Sequence, residues 1–340
     1  MPNRVTLDRI AKLAGVSKAA VSYVLSGRER EYRIAEETAK RIREIAAEME
    51  YIPNRAAALL RKGRHHLIAL IAPHVADFYA GLVSAIEAEA EQRDYQMLLG
   101  STFDNIERER TYLTALIARR VEGVIILPVD IHQPHLDILT KRRIPTVFFR
   151  RRADSEARHM FMTFDDFEVG RLAVKHLVSR GCRRLLFVSA PAFMDYDYLR
   201  IIHQARFSGY AEALQGCGYP SFEKAFLLNF ENHAVCGELI QIISSKEIDG
   251  LVCLSDEVAA QTLQVLRRAN IAVPGQVRVV GCDDSLIARY TSPPLTSLRL
   301  PKGELGKAMV DSLFQMIDEE KQESGEKLFS PCLVERESTA

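Results

Sequence analysis

The sequence predicts an α/β protein in two parts: a small three-helix helix-turn-helix head, then a large two-lobed body built on parallel sheets. Three observations lead there. Charge is split along the chain: residues 1–64 carry 14 Lys and Arg against 8 Asp and Glu, a net +6, and the remainder carries the compensating −6 of a neutral 340-residue chain. Within the head, apolar residues recur at helical spacing in three short runs. Beyond residue 65, apolar strand-like runs alternate with helical stretches, and the alternation restarts after Asp165. The length allows two or three domains. With 47% hydrophobic residues the chain can bury a sizeable core, which excludes general disorder. A basic head on an acidic body points to a polyanionic partner at the N-terminus.

In the head, Thr6 is placed to cap a first helix with Asp8 in its first turn, where negative charge suits the helix dipole. Leu7, Ile10, Ala11 and Ala14 make its apolar face, and Gly15 permits a tight turn. Ser17 is placed to cap a second helix, Lys18 to Leu25, with Val16 stapling onto Val21. A third helix starts near Glu36, shows Ile42, Ile45, Ala46 and Met49 on one face, and ends before Pro53. Two short helices joined through glycine and braced by a third form a helix-turn-helix, whose second helix enters the major groove. Periodicity turns Val16, Ala20, Val21, Val24 and Leu25 inward and leaves Ser17, Lys18, Ala19, Ser22 and Tyr23 outside. Lys18 suits guanine acceptors, Ala19 a thymine methyl, and Tyr23 a base edge or a phosphate. Ser17 and Ser22 suit phosphates. The same spacing also fits an ordinary helical bundle with solvated charges.

The stretches VTLDRIAKLAGVSKAAVSYVLSG and EETAKRIREIAAEMEYIPNRAAALLRKGR resemble the N-terminal segment of the lactose/galactose-repressor (LacI/GalR) family. The resemblance implies that Lys18, Ala19 and Tyr23 set specificity, although the family often carries Arg or His where Tyr23 stands. It implies that residues 53–64 form a hinge helix that pairs with its twin in the minor groove, with Leu60 wedged between base pairs. Such a wedge costs unstacking energy and gains a kinked duplex with more contacts. Ala58 and Leu59 stand where the family has arginine and serine. A helix of about ten residues is marginal alone in water, so the hinge is expected to order on DNA. The expected DNA-facing set is therefore Thr6, Ser17, Lys18, Ala19, Ser22, Tyr23, Asn54, Ala57 and Leu60, with double-stranded operator DNA as partner.

In the body, strands are expected at 67–71, 95–99, 124–127, 146–149, 185–188, 225–229, 251–254 and 277–280. Helices are expected at 79–92, 107–119, 168–179, 206–216, 234–245 and 257–269. Continuous apolar strands between helices mean parallel sheets covered on both faces. Two such units face each other across a cleft, as in periplasmic-binding-protein-like folds, and segments 295–300 and 327–334 cross back between them. Open parallel sheets bind ligands beyond the carboxyl ends of their strands. That rule selects Asp77, Phe78, Ser101, Arg150, Arg151, Phe230, Ser255, Asp256 and Asp283. The family resemblance extends through IPTVFFRR, RFSGYAEAL, VPGQVRVVGCDDS and YTSPPLTSLRLP. It implies that Arg206 and Asp283 grip a sugar-like small-molecule effector, whose vicinal hydroxyls suit bidentate groups. Arg150-Arg151-Arg152 replaces the family's Asp-Arg. It is either extra charge for a phosphorylated or carboxylated effector or a solvated surface run. Tyr196 and Tyr198 either line the cleft or pack.

Enzyme signatures are missing: no G-x-S-x-G, no H-E-x-x-H and no Walker loop. The adjacent pairs Asp165-Asp166 and Asp283-Asp284 read as loop and cap carboxylates rather than acid/base dyads. No cofactor and no metal are expected. The six cysteines form no C-x-x-C pair and read as reduced thiols of a cytoplasmic protein. The expected organisation is a helix-turn-helix at 1–52, a hinge at 53–64 and an effector-binding and dimerisation body at 65–340. Without C-terminal leucine heptads the expected assembly is a homodimer, away from membranes. A hinged solute-binding receptor without a DNA role is the alternative.

Overall fold

The structure, a computed structural model, describes residues 6–51, 65–73, 77–130, 134–150, 159–195, 197–220, 224–319 and 324–340, with the backbone alone at 77, 78, 195, 197 and 198. The chain divides into two compact units, Met1–His65 and His66–Ala340.

Unit one contains α1 (Leu7–Ala14), α2 (Lys18–Leu25) and α3 (Glu36–Glu48). Gly15 adopts φ 64°, a conformation in which a side chain would be strained, and its N–H closes α1 onto Ala11 O. Thr6 occupies the N-cap position of α1, but its side chain makes no capping bond. Ser17 does cap α2, its Oγ accepting from Ala20 N at 3.1 Å. Ile10, Ala11, Ala14, Val21, Val24, Ala39, Ile42 and Ala46 form the core, in keeping with the spacing of those residues.

Unit two is doubly layered. Its first sheet runs β11-β5-β4-β3-β1-β2, all parallel, from β1 (Leu67–Ala72), β2 (Gln96–Ser101), β3 (Gly123–Ile126), β4 (Thr146–Phe149), β5 (Met160–Phe164) and β11 (Gly325–Phe329). Its second runs β12-β10-β9-β8-β6-β7, from β6 (Leu185–Ser189), β7 (Phe226–Leu227), β8 (Gly250–Cys253), β9 (Arg278–Cys282), β10 (Thr296–Arg299) and β12 (Cys332–Val334). Among the described residues, only β12 is antiparallel to its neighbour. The helices are α4 (Asp77–Glu91), α5 (Ile106–Ala118), α6 (Asp137–Lys141), α7 (Asp166–Ser179), α8 (Ala192–Asp195), α9 (Asp197–Gly216), α10 (His233–Ser245), α11 (Asp256–Arg268), α12 (Leu286–Tyr290) and α13 (Lys302–Glu319).

The chain passes between the two sheets three times: from β5 into α7, from β10 into α13, and from β11 into β12. The two segments expected to cross back are thus β10 and the β11–β12 tail. Strand β5 was not foreseen. Its residues alternate buried and half-buried, a pattern short enough to pass for loop. Helix α9 starts at Asp197, nine residues before the expected 206.

Candidate functional site

On unit one, α2 turns its apolar face to the core and leaves Ser17, Lys18 and Ala19 exposed, with Ser22 and Tyr23 half-buried. Lys18 Nζ lies 2.8 Å from Asp8 Oδ2 of α1. Both side chains are more than half exposed, so the pair is worth at most about 1 kcal/mol and can be exchanged for another acceptor. The Tyr23 ring stacks on Tyr32 from the loop after α2, with centroids 3.5 Å apart and planes within 4°. Thr6 is exposed at the start of α1. Asn54, Ala57 and Leu60, with the whole 53–64 hinge, lie outside the described residues.

In unit two, four charged side chains meet where strands of both sheets end. Arg150 follows β4 in the first lobe and is buried. Its Nη1 donates to Asp166 Oδ2 at 2.7 Å. Asp166 opens α7 in the second lobe. Its other oxygen accepts from Arg206 Nε at 2.9 Å and lies 2.8 Å from Arg206 Nη2. Arg206, on α9, also donates to the Leu254 carbonyl at the end of β8 and stands 3.9 Å from Asp283 Oδ1 beyond β9. The Arg150 guanidinium lies 5.4 and 5.3 Å from the Phe149 and Phe164 ring centroids. Aromatic faces attract a cation at that range.

Burial sets the electrostatics. It opposes the Arg206 charge, but Asp166 and Asp283 outweigh it and hold that pKa above its ordinary value. It pushes the Asp283 carboxyl up, against Arg206, Lys302 and Arg150. It pushes the Tyr79 hydroxyl up to about 12 and the neighbouring Asp256 carboxyl up to about 6. Asp283 has φ 109°, a left-handed backbone that aims its side chain at Arg206.

Close helix packing places Arg206. A Cβ on Gly170 of α7 would lie 1.9 Å from the Arg206 carbonyl, and one on Gly209 of α9 would lie 1.9 Å from the Phe167 carbonyl. Glycine at both positions lets α7 and α9 touch backbone to backbone, which brings the Arg206 side chain onto Asp166.

The remaining expected effector residues scatter. Ser255 is buried, and its Oγ accepts from Val258 N at 3.3 Å as the cap of α11, one strand from Asp283. Ser101 ends the edge strand β2, three strands from β4, or about 14 Å at the usual strand spacing. Phe230 lies under the Arg268 guanidinium at 5.1 Å and packs on the second lobe's own core. Asp77 and Phe78 open α4, where only the backbone is described. Arg151 lies outside the described residues, as do Arg152 and Tyr196. The Tyr198 side chain is likewise undescribed.

Residues 6–54 match the bacterial regulatory proteins, lacI family, and residues 174–339 match the periplasmic binding protein-like domain. Over 98% of each chain, the protein is 29% identical to the HTH-type transcriptional regulator CelR of Thermobifida fusca. It is 27% identical to the ribose operon repressor of Escherichia coli (strain K12), over 98% of this chain and 99% of the relative. The chain belongs to the lacI family. A solved structure described as a transcriptional regulator CelR–cellobiose complex superposes with a TM-score of 0.67 at 28% identity, over 98% of this chain and 100% of the other. Membership makes this protein a DNA-binding transcriptional regulator with an effector-binding body.

Set beside that membership, two readings of the lacI-family body change: the role of Asp166, and the charge state of the surroundings of Arg150, a residue that the strand-end rule had selected. Asp165 is a cap, as read, accepting from Glu168 N at 2.9 Å, but Asp166 is the hub of the buried cluster. Arg150 is neither a solvated charge nor a free anion site, since Asp166 holds it. Asp284, the partner of Asp283 in sequence, turns away to Arg299 and Arg336.

Proposed function

We propose that this lacI-family chain is a repressor that acts as a homodimer on a near-palindromic operator and is controlled by a sugar-like effector bound between the lobes of its body. In this reading the organisation is a helix-turn-helix at 1–52, a hinge at 53–64 and a body at 65–340. Thr6, Ser17, Lys18, Ala19, Ser22 and Tyr23 face the major groove, and Asn54, Ala57 and Leu60 face the minor groove. The observation that carries it is the cluster of Arg150, Asp166, Arg206 and Asp283 at the strand ends, which joins the lobes of a body attached to an exposed recognition helix.

The cluster also supports the effector class. Two guanidinia face two carboxylates, so the group as a whole does not demand an anion. Forked donors beside carboxylate acceptors suit a neutral ligand with vicinal hydroxyls. Cellobiose in the CelR complex and ribose in the name of the second relative are of that chemistry. Effector binding that alters the angle between the lobes alters the spacing of two hinges, and operator affinity with it. The coupling is reciprocal: an effector that weakens operator binding binds the operator complex less well by the same factor. Regulation rather than catalysis, in the cytoplasm, fits this arrangement. No helix among the described residues is long and apolar enough to cross a membrane.

The test is selection of duplexes by the full-length protein from a random library, at fixed salt. The expected product is an inverted repeat with half-sites about one helical turn apart. Thermal-shift screening of sugars, sugar phosphates and nucleobases then finds the effector, and a hit confined to sugar phosphates overturns the neutral-ligand reading.

A further inference from the structure

The recognition helix carries one large reading side chain, Tyr23, and its ring is not held by the core of the unit. Its flat face lies on Tyr32, eight positions beyond Val24, the last buried core residue of α2, and in the loop that leads to α3. The rings are 3.5 Å apart at their centroids and within 4° of parallel. Tyr32 is 41% exposed and belongs to no hydrophobic cluster. We infer that Tyr32 is a positioning residue for Tyr23: the loop after α2 fixes the Tyr23 ring before DNA arrives and so sets how sharply this helix discriminates among base pairs. The inference rests on the DNA-reading role proposed above.

The loop is built to do this. Arg28 Nη2 donates to the Tyr32 hydroxyl at 2.9 Å, and the guanidinium carbon lies 4.9 Å from the Tyr32 ring centroid and 5.9 Å from that of Tyr23. The same guanidinium grips Glu31 through two bonds, Nε to Oε2 at 2.7 Å and Nη2 to Oε1 at 2.6 Å. Arg28, Glu31 and Tyr32 therefore form one interlocked group around the Tyr23 ring. The group is tied to its surroundings by Arg28 N donating to Tyr23 O at 2.9 Å, by Ile34 N donating to Glu29 O at 2.8 Å, and by the ion pair of Glu29 with Arg43 on α3. Gly27 at φ 70° and Arg33 at φ 52° supply the reversals that such a closed loop needs.

The physical consequence is preorganisation. A half-exposed tyrosine left alone samples several staggered rotamers, and DNA would have to select one and bear the loss of freedom. A ring already held in one orientation gives up less on binding, and it penalises a base pair that requires a different placement. Because the brace stands outside the buried core, discrimination can be changed without dismantling the fold.

The experiment uses the full-length protein and the duplex that the wild type selects. Affinities for that duplex, for each of its single-base-pair variants and for unrelated DNA are measured by gel shift at one salt concentration, for wild type, Tyr32→Ala, Tyr32→Phe, Tyr23→Ala and the Tyr23→Ala/Tyr32→Ala double variant. Tyr32→Ala is expected to lower the ratio of specific to unrelated binding about fivefold, the low end of what one base contact is worth. The loss falls on the same base pairs as in Tyr23→Ala, and Tyr32→Phe retains most of the ratio. The double variant is expected to be no worse than Tyr23→Ala alone, because residues acting through one another are not additive. Additive losses mean that Tyr32 touches DNA on its own account, and that overturns the inference; so does an unchanged ratio in Tyr32→Ala. Should Tyr32→Ala lose its helical signal, Tyr32→Leu replaces it, keeping bulk but not the flat stack, with the same expected and overturning results. Failure of the wild type to select any duplex instead removes the DNA-reading role itself, and is told apart because it appears before any variant is compared.

Discussion

Arg150 and Asp166, 16 residues apart in sequence, meet at 2.7 Å with one at the end of a first-lobe strand and the other in the first turn of a second-lobe helix. Both are buried. The bond thus ties the lobes at the point where the chain first passes between them. Asp166 serves two guanidinia, so the two partners are not equivalent. Arg150→Met removes a charged hydrogen bond but leaves Asp166 paired with Arg206, at a cost of about 2 kcal/mol. Asp166→Asn leaves two buried guanidinia short of their carboxylate, at a cost of about 4 kcal/mol. Urea unfolding of the two variants checks the order, and a larger loss in Arg150→Met contradicts it.

The crossing of α7 and α9 predicts a second loss. In Gly170→Ala the new methyl meets a backbone carbonyl, which cannot swing aside as a side chain can, so the helices must part. A destabilisation of about 3 kcal/mol is expected. Parting the helices also draws Arg206 off Asp166, so effector affinity is expected to fall along with the melting temperature. Calorimetry with the effector found by screening measures the first, and a thermal melt the second.

Asp256 predicts a pH dependence. Burial raises its carboxyl to about 6, against the hydrogen bonds it accepts from Ser297 and Ser285. An unfolded aspartate titrates at about 3.9. Between those values the folded chain holds the proton and the unfolded chain does not, so this group adds stability as pH falls from about 7 to 4. The gain is complete below the unfolded value and is lost as pH rises through about 6. In Asp256→Asn the group no longer titrates. The stability of wild type relative to this variant is therefore expected to rise on going from pH 7 to pH 5, measured by urea unfolding at each pH. A flat difference contradicts it.

The hinge reading predicts that Leu60→Ala weakens binding to the selected operator more than binding to unrelated duplex. The kink is lost, while the lysine and arginine contacts to phosphate and their salt dependence remain. Gel shifts over a range of salt concentrations check this. Equal losses on both kinds of DNA would falsify it.

Much of the architecture was legible because local chemistry and the fold agree. Gly15, the Ser17 cap and the spacing from Ile10 to Ala46 specify the head without help from the rest of the chain. The apolar runs that became β1, β3, β4, β6, β8 and β9 specify parallel strands because both of their faces are covered. Arg206 and Asp283 were legible through their place after landmark runs. Arg150 was legible only together with Arg151, by its place after β4, and Asp166 was not legible, since nothing in RRR or DD says which member turns inward. That choice is made by the meeting of β4 with α7 and by the Gly170–Gly209 contact, both of which join distant segments. Tyr32 was passed over because a tyrosine in a charged loop carries no periodicity, and its value lies in what it stacks on.

The three passages between the sheets limit how this body can respond to anything it binds. One tether would act as a swivel, free to twist as well as to bend. Three tethers, from β5, β10 and β11, resist sliding and torsion together and leave flexion as the soft motion. A ligand at the strand ends therefore acts on a single degree of freedom, and its binding energy is channelled into one angle instead of being dispersed over many.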